Sequence, residues 1–399
     1  MTSVFDAVEL APRDPIFGLN EQFNADNRPD KVNLGVGVYC DDHGRIPLLD
    51  SVHKAEVARV QAAAARGYLP IDGIAAYNKG AQALLLGKDS RVLADGRAVT
   101  MQALGGTGAL KIGADFLKTL LPNAQVAISE PTWANHRAIF EGAGFKVSTY
   151  AYYDADTHGL NFDGMLASLR ALPAGSIAVL HACCHNPTGV DLTLDQWKQI
   201  AQVVKDSRLV PFVDIAYQGF GDGLDEDAAA VRLLADLDLT MLVSSSFSKS
   251  LSLYGERVGA LTVVVSGKDE GTRVLSQVKR VIRANYSNPP THGGMLVASV
   301  LNTPELRTLW ETELAGMRNR IRDMRNQLVE KLAAQGVTRD FSFVREQRGM
   351  FSYSGLTSAQ VDRLRTEYGI YAVGSGRICV AALNTRNIDY VAKAIAQVL

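Results

Sequence analysis

Between residues 126 and 265, short β-branched runs alternate with helix-patterned stretches, and this alternation limits the possible folds more than any other feature. Residues 126–129, 177–181, 210–214, 241–246 and 260–265 are apolar, rich in Val, Ile and Leu, and bounded by Gly, Pro, Asn or Ser. Between the second and third runs, Leu194, Trp197, Ile200, Ala201 and Val204 recur at helical spacing over 194–204. Strands separated by helices read as βαβ units around a largely parallel sheet, the α/β class. Such sheets bind ligands beyond the carboxyl ends of their strands, so the polar residues after each run define the candidate site.

Composition narrows the partners. The chain has 399 residues, room for two or three structural units, with 41 Lys and Arg against 42 Asp and Glu. A formal net charge of −1 offers no long-range attraction to a nucleic-acid backbone or an anionic membrane, and neither is expected as a partner. Cys40, Cys183, Cys184 and Cys379 lack CxxC spacing and read as reduced thiols; no metal is expected. The first residues show no signal-peptide pattern, and no apolar run approaches the roughly 18 residues of a membrane helix. A soluble, cytoplasmic protein is the expectation.

One long helix divides the chain. Thr303 is placed to cap it and Pro304 suits its first turn. Leu306, Trp310, Leu314, Met317, Ile321, Met324, Leu328 and Leu332 then recur every three or four residues until Gly336. At 1.5 Å per residue such a helix spans roughly 45 Å, enough to run from one domain into another. The predicted division is a large domain at 46–305, with 1–45 and 306–399 forming a smaller one. Residues 350–353 and 377–381 read as strands of that α+β unit.

Chemistry concentrates after the strands. The run 177–181 leads into Cys183-Cys184-His185-Asn186-Pro187-Thr188-Gly189; Asp214 ends the next run, with Tyr217 three residues on. The run 241–246 leads into Ser246-Phe247-Ser248-Lys249-Ser250, followed by Arg257. Singly, each of these residues is an ordinary turn or surface residue; the ordered set is not. It matches the needs of pyridoxal 5′-phosphate: a lysine to form an imine, Asp214 to keep the pyridine nitrogen protonated, and Tyr217 and Asn186 for the 3′ oxygen. Arg257, Ser246 and the turn Gly105-Gly106-Thr107-Gly108, which opens an apolar helix over 109–117, suit its phosphate. Trp133 is available to stack on the ring, and His136 to support Asp214.

With these residues in hand, the sequence resembles the class I aminotransferases of the aspartate aminotransferase subgroup. The resemblance runs from Val32-Asn-Leu-Gly-Val-Gly37 to Ser375-Gly-Arg377 and includes Ser-Phe-Ser-Lys249-Ser, Asp214-Ile-Ala-Tyr217 and Arg283-Ala-Asn-Tyr-Ser-Asn-Pro-Pro. Cys-Cys-His-Asn-Pro-Thr-Gly, Gly349-Met-Phe-Ser-Tyr-Ser-Gly-Leu and Arg377-Ile-Cys-Val-Ala-Ala-Leu-Asn are similar to bacterial aromatic-amino-acid (tyrosine) aminotransferases, although Ala382 stands where glycine is expected. The resemblance implies a PLP-dependent transferase of fold type I, its large domain built on a mostly parallel seven-stranded sheet between helices. It also implies a homodimer with shared active sites. Lys249 would be the imine-forming lysine and proton carrier, with Asp214 and Tyr217 also catalytic. Gly106, Thr107, Trp133, Asn186, Ser246 and Arg257 would contact the cofactor, and Tyr68 would do so from the other subunit.

For substrate, the resemblance implies Arg377 as the α-carboxylate clamp, Gly37 as a backbone contact, and Trp133 and Asn186 beside it. Arg283 of the neighbouring subunit would meet a distal carboxylate. The expected reaction moves the amino group of tyrosine, phenylalanine or aspartate to 2-oxoglutarate; the alternative is a narrow aspartate aminotransferase. A PLP lyase would not need two carboxylate-binding arginines, and a ligand-sensing regulator would need a DNA-binding domain that the match leaves no room for.

Overall fold

The computed structural model describes residues 3–14 and 16–399. Its centre is a seven-stranded sheet in the order Ala98–Leu104, Val258–Val264, Met241–Ser246, Val210–Ile215, Ile177–His181, Gln125–Glu130, Lys146–Ala151. Six strands run parallel, and Val258–Val264 is antiparallel to both its neighbours. The connection before it carries no crossover helix, so the chain turns straight back instead of returning to the other end of the sheet.

The expected strands are all present, two with unchanged limits (Ile177–His181 and Met241–Ser246). Ala98–Leu104 and Lys146–Ala151 are additions. Along Ile177–His181 the side chains alternate: Ile177 and Val179 enter one apolar cluster, Ala178 and Leu180 the other. Both faces of the sheet are thus buried, as a parallel sheet between helices requires. Gly105–Leu120, Asn135–Gly142 and Lys268–Asn285 cover one face; Phe162–Arg170, Leu194–Asp206 and Leu224–Asp236 cover the other.

The helix Leu194–Asp206 starts in a capping box between Thr193 and Gln196 and buries Trp197, Ile200, Ala201 and Val204. Leu194, expected on that stripe, is half exposed because it occupies the first turn, ahead of the packed face. The long helix spans Pro304–Ala334 and buries the predicted stripe from Trp310 to Leu332, with Leu306 only partly covered. Thr303 precedes it without a side-chain capping bond, and Gly336 follows it at φ +80°.

Beyond the sheet, Val32–Asn33 pairs in parallel with Ile370–Tyr371, and Phe351–Tyr353 pairs antiparallel with Arg377–Cys379. The predicted strand 377–381 is shorter than expected, because Val380–Ala382 form a 3₁₀ turn that contains Ala382. The early chain is held to the late one by side chains too: the Arg28 guanidinium donates to the carbonyls of Arg365 and Thr366.

Candidate functional site

Sheet register explains the convergence of the polar residues. His181, Asp214 and Ser244 are in line across three neighbouring parallel strands, near their carboxyl ends. The loops that follow supply Asn186, Tyr217 and Lys249, while Ala98–Leu104 ends directly in Gly105. Arg257 arrives by a different route. Its strand is antiparallel, so the start of Val258–Val264 meets the end of Ala98–Leu104, with Val258 opposite Leu104.

Lys249 is partly buried, with Nζ 5.0 Å from the centre of the Tyr217 ring. Burial pushes its ammonium down to about 8; Asp214 opposes that shift, while Arg257 and Arg377 reinforce it. An amine with this pKa is available as a nucleophile or base near neutral pH. Burial works to raise the Asp214 carboxyl, but the hydrogen bond from His136 and the nearby charge of Lys249 hold it below the usual carboxylate value. Asp214 Oδ2 takes His136 Nε2 at 3.1 Å, while its buried Oδ1 has no partner among the described residues.

Behind Asp214, the expected His136 is the end of a longer network that the sequence did not reveal. The Asn186 backbone N–H donates to His181 Nδ1 at 3.2 Å, and burial lowers His181 to about 3, so that ring is neutral and carries its proton on Nε2. Nε2 therefore donates to Thr132 Oγ1 at 3.3 Å, which leaves the Thr132 hydrogen for His136 Nδ1 at 2.9 Å. His136 then donates to Asp214. His185 stacks on His181 with ring centres 4.2 Å apart, itself held by Ser129 and Thr188. The advance signals were His136, expected beside Asp214 and found there, and His181 at the end of a strand; nothing in the spacing tied either to the other through Thr132.

Arg377 is buried. It donates to Gly35 O at 2.5 Å and to Asn186 Oδ1 at 3.2 Å, and its guanidinium lies 4.2 Å from the Phe351 ring centre. Its Nε is buried without a partner among the described residues. Asn186 Nδ2 reaches Tyr217 Oη at 3.5 Å, so Arg377, Asn186 and Tyr217 form one group. Phe351, also unanticipated, packs edge-on against Tyr217 and touches Gly37, where a β-carbon would come within 2.6 Å of its ring.

The glycine turn is the first turn of Gly105–Leu120, with no side chain capping its free N–H groups. Gly105 has φ +67°, and a β-carbon there would stand 2.5 Å from Arg257 Nη2. Backbone donors, the guanidinium, Ser246 and Thr107 thus gather at one helix start, an arrangement suited to an anion. Ser246 Oγ accepts the Ser248 N–H at 3.2 Å, and Arg257 donates to Tyr254 O at 3.0 Å. Trp133 meets His136 edge-on at 5.3 Å.

Two expected residues stand apart from this group. Tyr68 is 97% exposed, and Arg283 is exposed near the end of Lys268–Asn285; no hydrogen bond ties either to the cluster among the described residues. One group of metal-ligand type forms among the described residues, Cys183, Cys184 and Asp227. Its Asp227 is already occupied by the N–H groups of Gly219, Gly221 and Asp222.

The family model "Aminotransferase class I and II" matches residues 29–395. An aspartate aminotransferase of Pseudomonas aeruginosa is 68% identical over 397 residues, covering 100% of both chains. The aromatic-amino-acid aminotransferase of Escherichia coli is 51% identical, covering 99% of this chain and 100% of its own. Among solved structures, the aromatic-amino-acid aminotransferase from Burkholderia pseudomallei, covalently bound to pyridoxal phosphate, superposes with a TM-score of 0.98 at 70% identity over 100% of both chains.

Proposed function

The chain belongs to the class I and II aminotransferases, and on that premise we propose that it exchanges amino groups between tyrosine, phenylalanine or aspartate and 2-oxoglutarate. The enzyme is an aminotransferase and its cofactor is pyridoxal 5′-phosphate. The residues fit that group. Asp214 Oδ1 is a buried acceptor lacking a donor, which suits a pyridinium N–H, and the Gly105–Leu120 start with Arg257 and Ser246 suits a phosphate. When bound, the cofactor supplies an electron-withdrawing ring that acidifies the substrate Cα–H and carries the amino group between the two half-reactions.

The chain's own side chains do the remainder. Lys249, its pKa near 8, holds a free amine that takes the Cα proton and returns it one position along. Asp214 stays ionised through the His136–Thr132–His181 network. Tyr217 and Asn186 would donate toward a ring oxygen, Trp133 would cover a ring face, and Thr107 and Gly106 would add donors for the phosphate. Arg377, already turned toward Asn186, pairs the α-carboxylate as a fork, with the backbone at Gly37 alongside. The placement of Lys249 beside Asp214 and Tyr217 carries this reading. Lys249→Ala should lower kcat by about 10⁴-fold and abolish the holoenzyme's visible absorption band; retention of both would overturn it.

Two relatives named for different substrates favour the dual specificity. The narrower aspartate reading has one observation behind it, the cationic Arg283; kcat/KM for phenylalanine several orders below that for aspartate would favour it. Tyr68 and Arg283 serve the neighbouring subunit's site in a homodimer, and the exposed Val4, Phe5, Val8 and Leu10 offer apolar surface for that contact. Residues 46–305 form the large cofactor-binding domain, and 1–45 with 306–399 the small one. This division is supported by the sheet lying inside 98–264 and by the Val32–Asn33 pairing with Ile370–Tyr371. The four free thiols suit the cytoplasm, and among the described residues no helix is long and apolar enough to cross a membrane.

A further inference from the structure

Arg283 is exposed, yet it is tethered. Its Nη1 donates to the Oγ of Ser287, just past the end of Lys268–Asn285. Ser287 has φ +71°, a left-handed conformation in which serine is uncommon. Its backbone N–H returns to Ile282 O at 3.1 Å, and Asn288 Nδ2 donates to the same Oγ at 3.2 Å. The segment is held on both sides by buried Gln102, whose side-chain Nε2 donates to Pro290 O at 2.9 Å and whose backbone carbonyl accepts from Tyr286 Oη at 3.4 Å. Ser287 is therefore a fixed post, and Arg283 a long side chain tied to it.

We propose that Ser287 is a specificity-determining positioning residue: it holds the Arg283 guanidinium in one orientation and thereby sets the balance between dicarboxylate and aromatic substrates. This rests on reading Arg283 as the partner of the distal carboxylate. A guanidinium has five N–H donors in a planar fork, so one nitrogen can bond Ser287 while another edge remains free for a carboxylate. Holding the side chain in place before substrate arrives spares the ordering that binding would otherwise require. An aromatic side chain gains nothing from this, since the guanidinium must turn away and leave Ser287 to admit an uncharged ring.

The test compares kcat/KM for aspartate and phenylalanine in the holoenzyme carrying Ser287→Ala, Ser287→Gly or Ser287→Asn. Losing one hydrogen bond corresponds to a fall of about threefold to tenfold for aspartate, expressed mainly in KM, in both the Ala and Gly variants. Phenylalanine should stay within about twofold of the parent. Asparagine tolerates the left-handed backbone and brings an acceptor oxygen, so it should restore aspartate toward the parent value. A ratio of the two substrates unchanged in both Ala and Gly variants overturns the proposal. So does an equal loss for both substrates, or a Gly variant that behaves like the parent while Ala alone is impaired, which would assign the effect to the backbone. Arg283→Ala is measured alongside: if aspartate turnover survives it undiminished, the distal-carboxylate reading itself fails, whatever Ser287 does.

Discussion

Lys249 shows how closely the fold sets the charge of a single residue. In the folded chain it titrates near 8, and when unfolded near its ordinary value of 10.5. Between those limits the unfolded chain holds the extra proton, so raising the pH favours the folded state. The penalty of burying the ammonium is present in full below pH 8 and disappears as pH rises toward 10.5. In the cofactor-free protein, the stability of Lys249→Met relative to the parent should therefore decline across that window, as read from urea midpoints at successive pH values. A difference independent of pH would show that the amine is not depressed. At this scale Lys249, Asp214, Asn186, Tyr217 and Arg257 were legible, because they lie at or beyond the ends of apolar strand runs in a chemically ordered set. His181 and His185 were not, because a histidine beside a strand end has no pattern until the neighbouring strand brings Thr132 and Ser129 against it.

At the scale of elements, the long helix Pro304–Ala334 also supports the lysine loop. Trp310, fully buried in its second turn, donates its indole N–H to Ser250 O at 2.6 Å, one residue beyond Lys249. Trp310→Phe keeps most of the apolar volume but leaves that carbonyl without a partner in a buried site. We expect a loss of about 1–3 kcal/mol in urea unfolding, with a lowered kcat as the loop loosens. A variant as stable and as active as the parent would refute the coupling. The periodicity of this helix was readable, but not its contact with the lysine loop. The two missed strands have physical reasons as well: Lys146–Ala151 is a partly exposed edge with polar residues, and Ala98–Leu104 carries Thr100 and Gln102 among its apolar residues. The antiparallel course of Val258–Val264 leaves no mark in a strand's own residues, yet it is what delivers Arg257 to the edge where the other strands end.

For the molecule as a whole, the site as proposed needs two chains. Arg283 and Lys249 then belong to different halves of each site, which gives a complementation experiment. Lys249→Ala and Arg283→Ala are each expected to be severely impaired with aspartate. Unfolding and refolding them together in equal amounts should restore about a quarter of parental activity, because half the dimers are hybrids and each hybrid has one intact site. No recovery on mixing would place both residues in one chain's site. Gln102 connects the two regions assigned to the neighbour. It accepts the Ile74 N–H at 3.2 Å, near Tyr68, and donates to Pro290 O, near Arg283, so one buried amide steadies both loops.

The alternating strands and helices, the lysine and aspartate after successive strands, and the long amphipathic helix were all determined by the sequence alone. Local periodicity and residue chemistry act over a few neighbours and need no knowledge of the rest of the chain. The near-neutral charge balance likewise gave no long-range attraction to polyanions while leaving small anionic ligands open. Only the tertiary structure decided how those pieces act on one another. It set the direction of each proton from Asn186 to Asp214, turned one strand to bring Arg257 round, and tied Arg283 to Ser287. The Thr132–His181 and His136–Asp214 links join groups distant in sequence, and even the local Arg283–Ser287 tie depends on how the chain turns after its helix. At such short range desolvation and charge are strong enough to fix a pKa or hold a side chain.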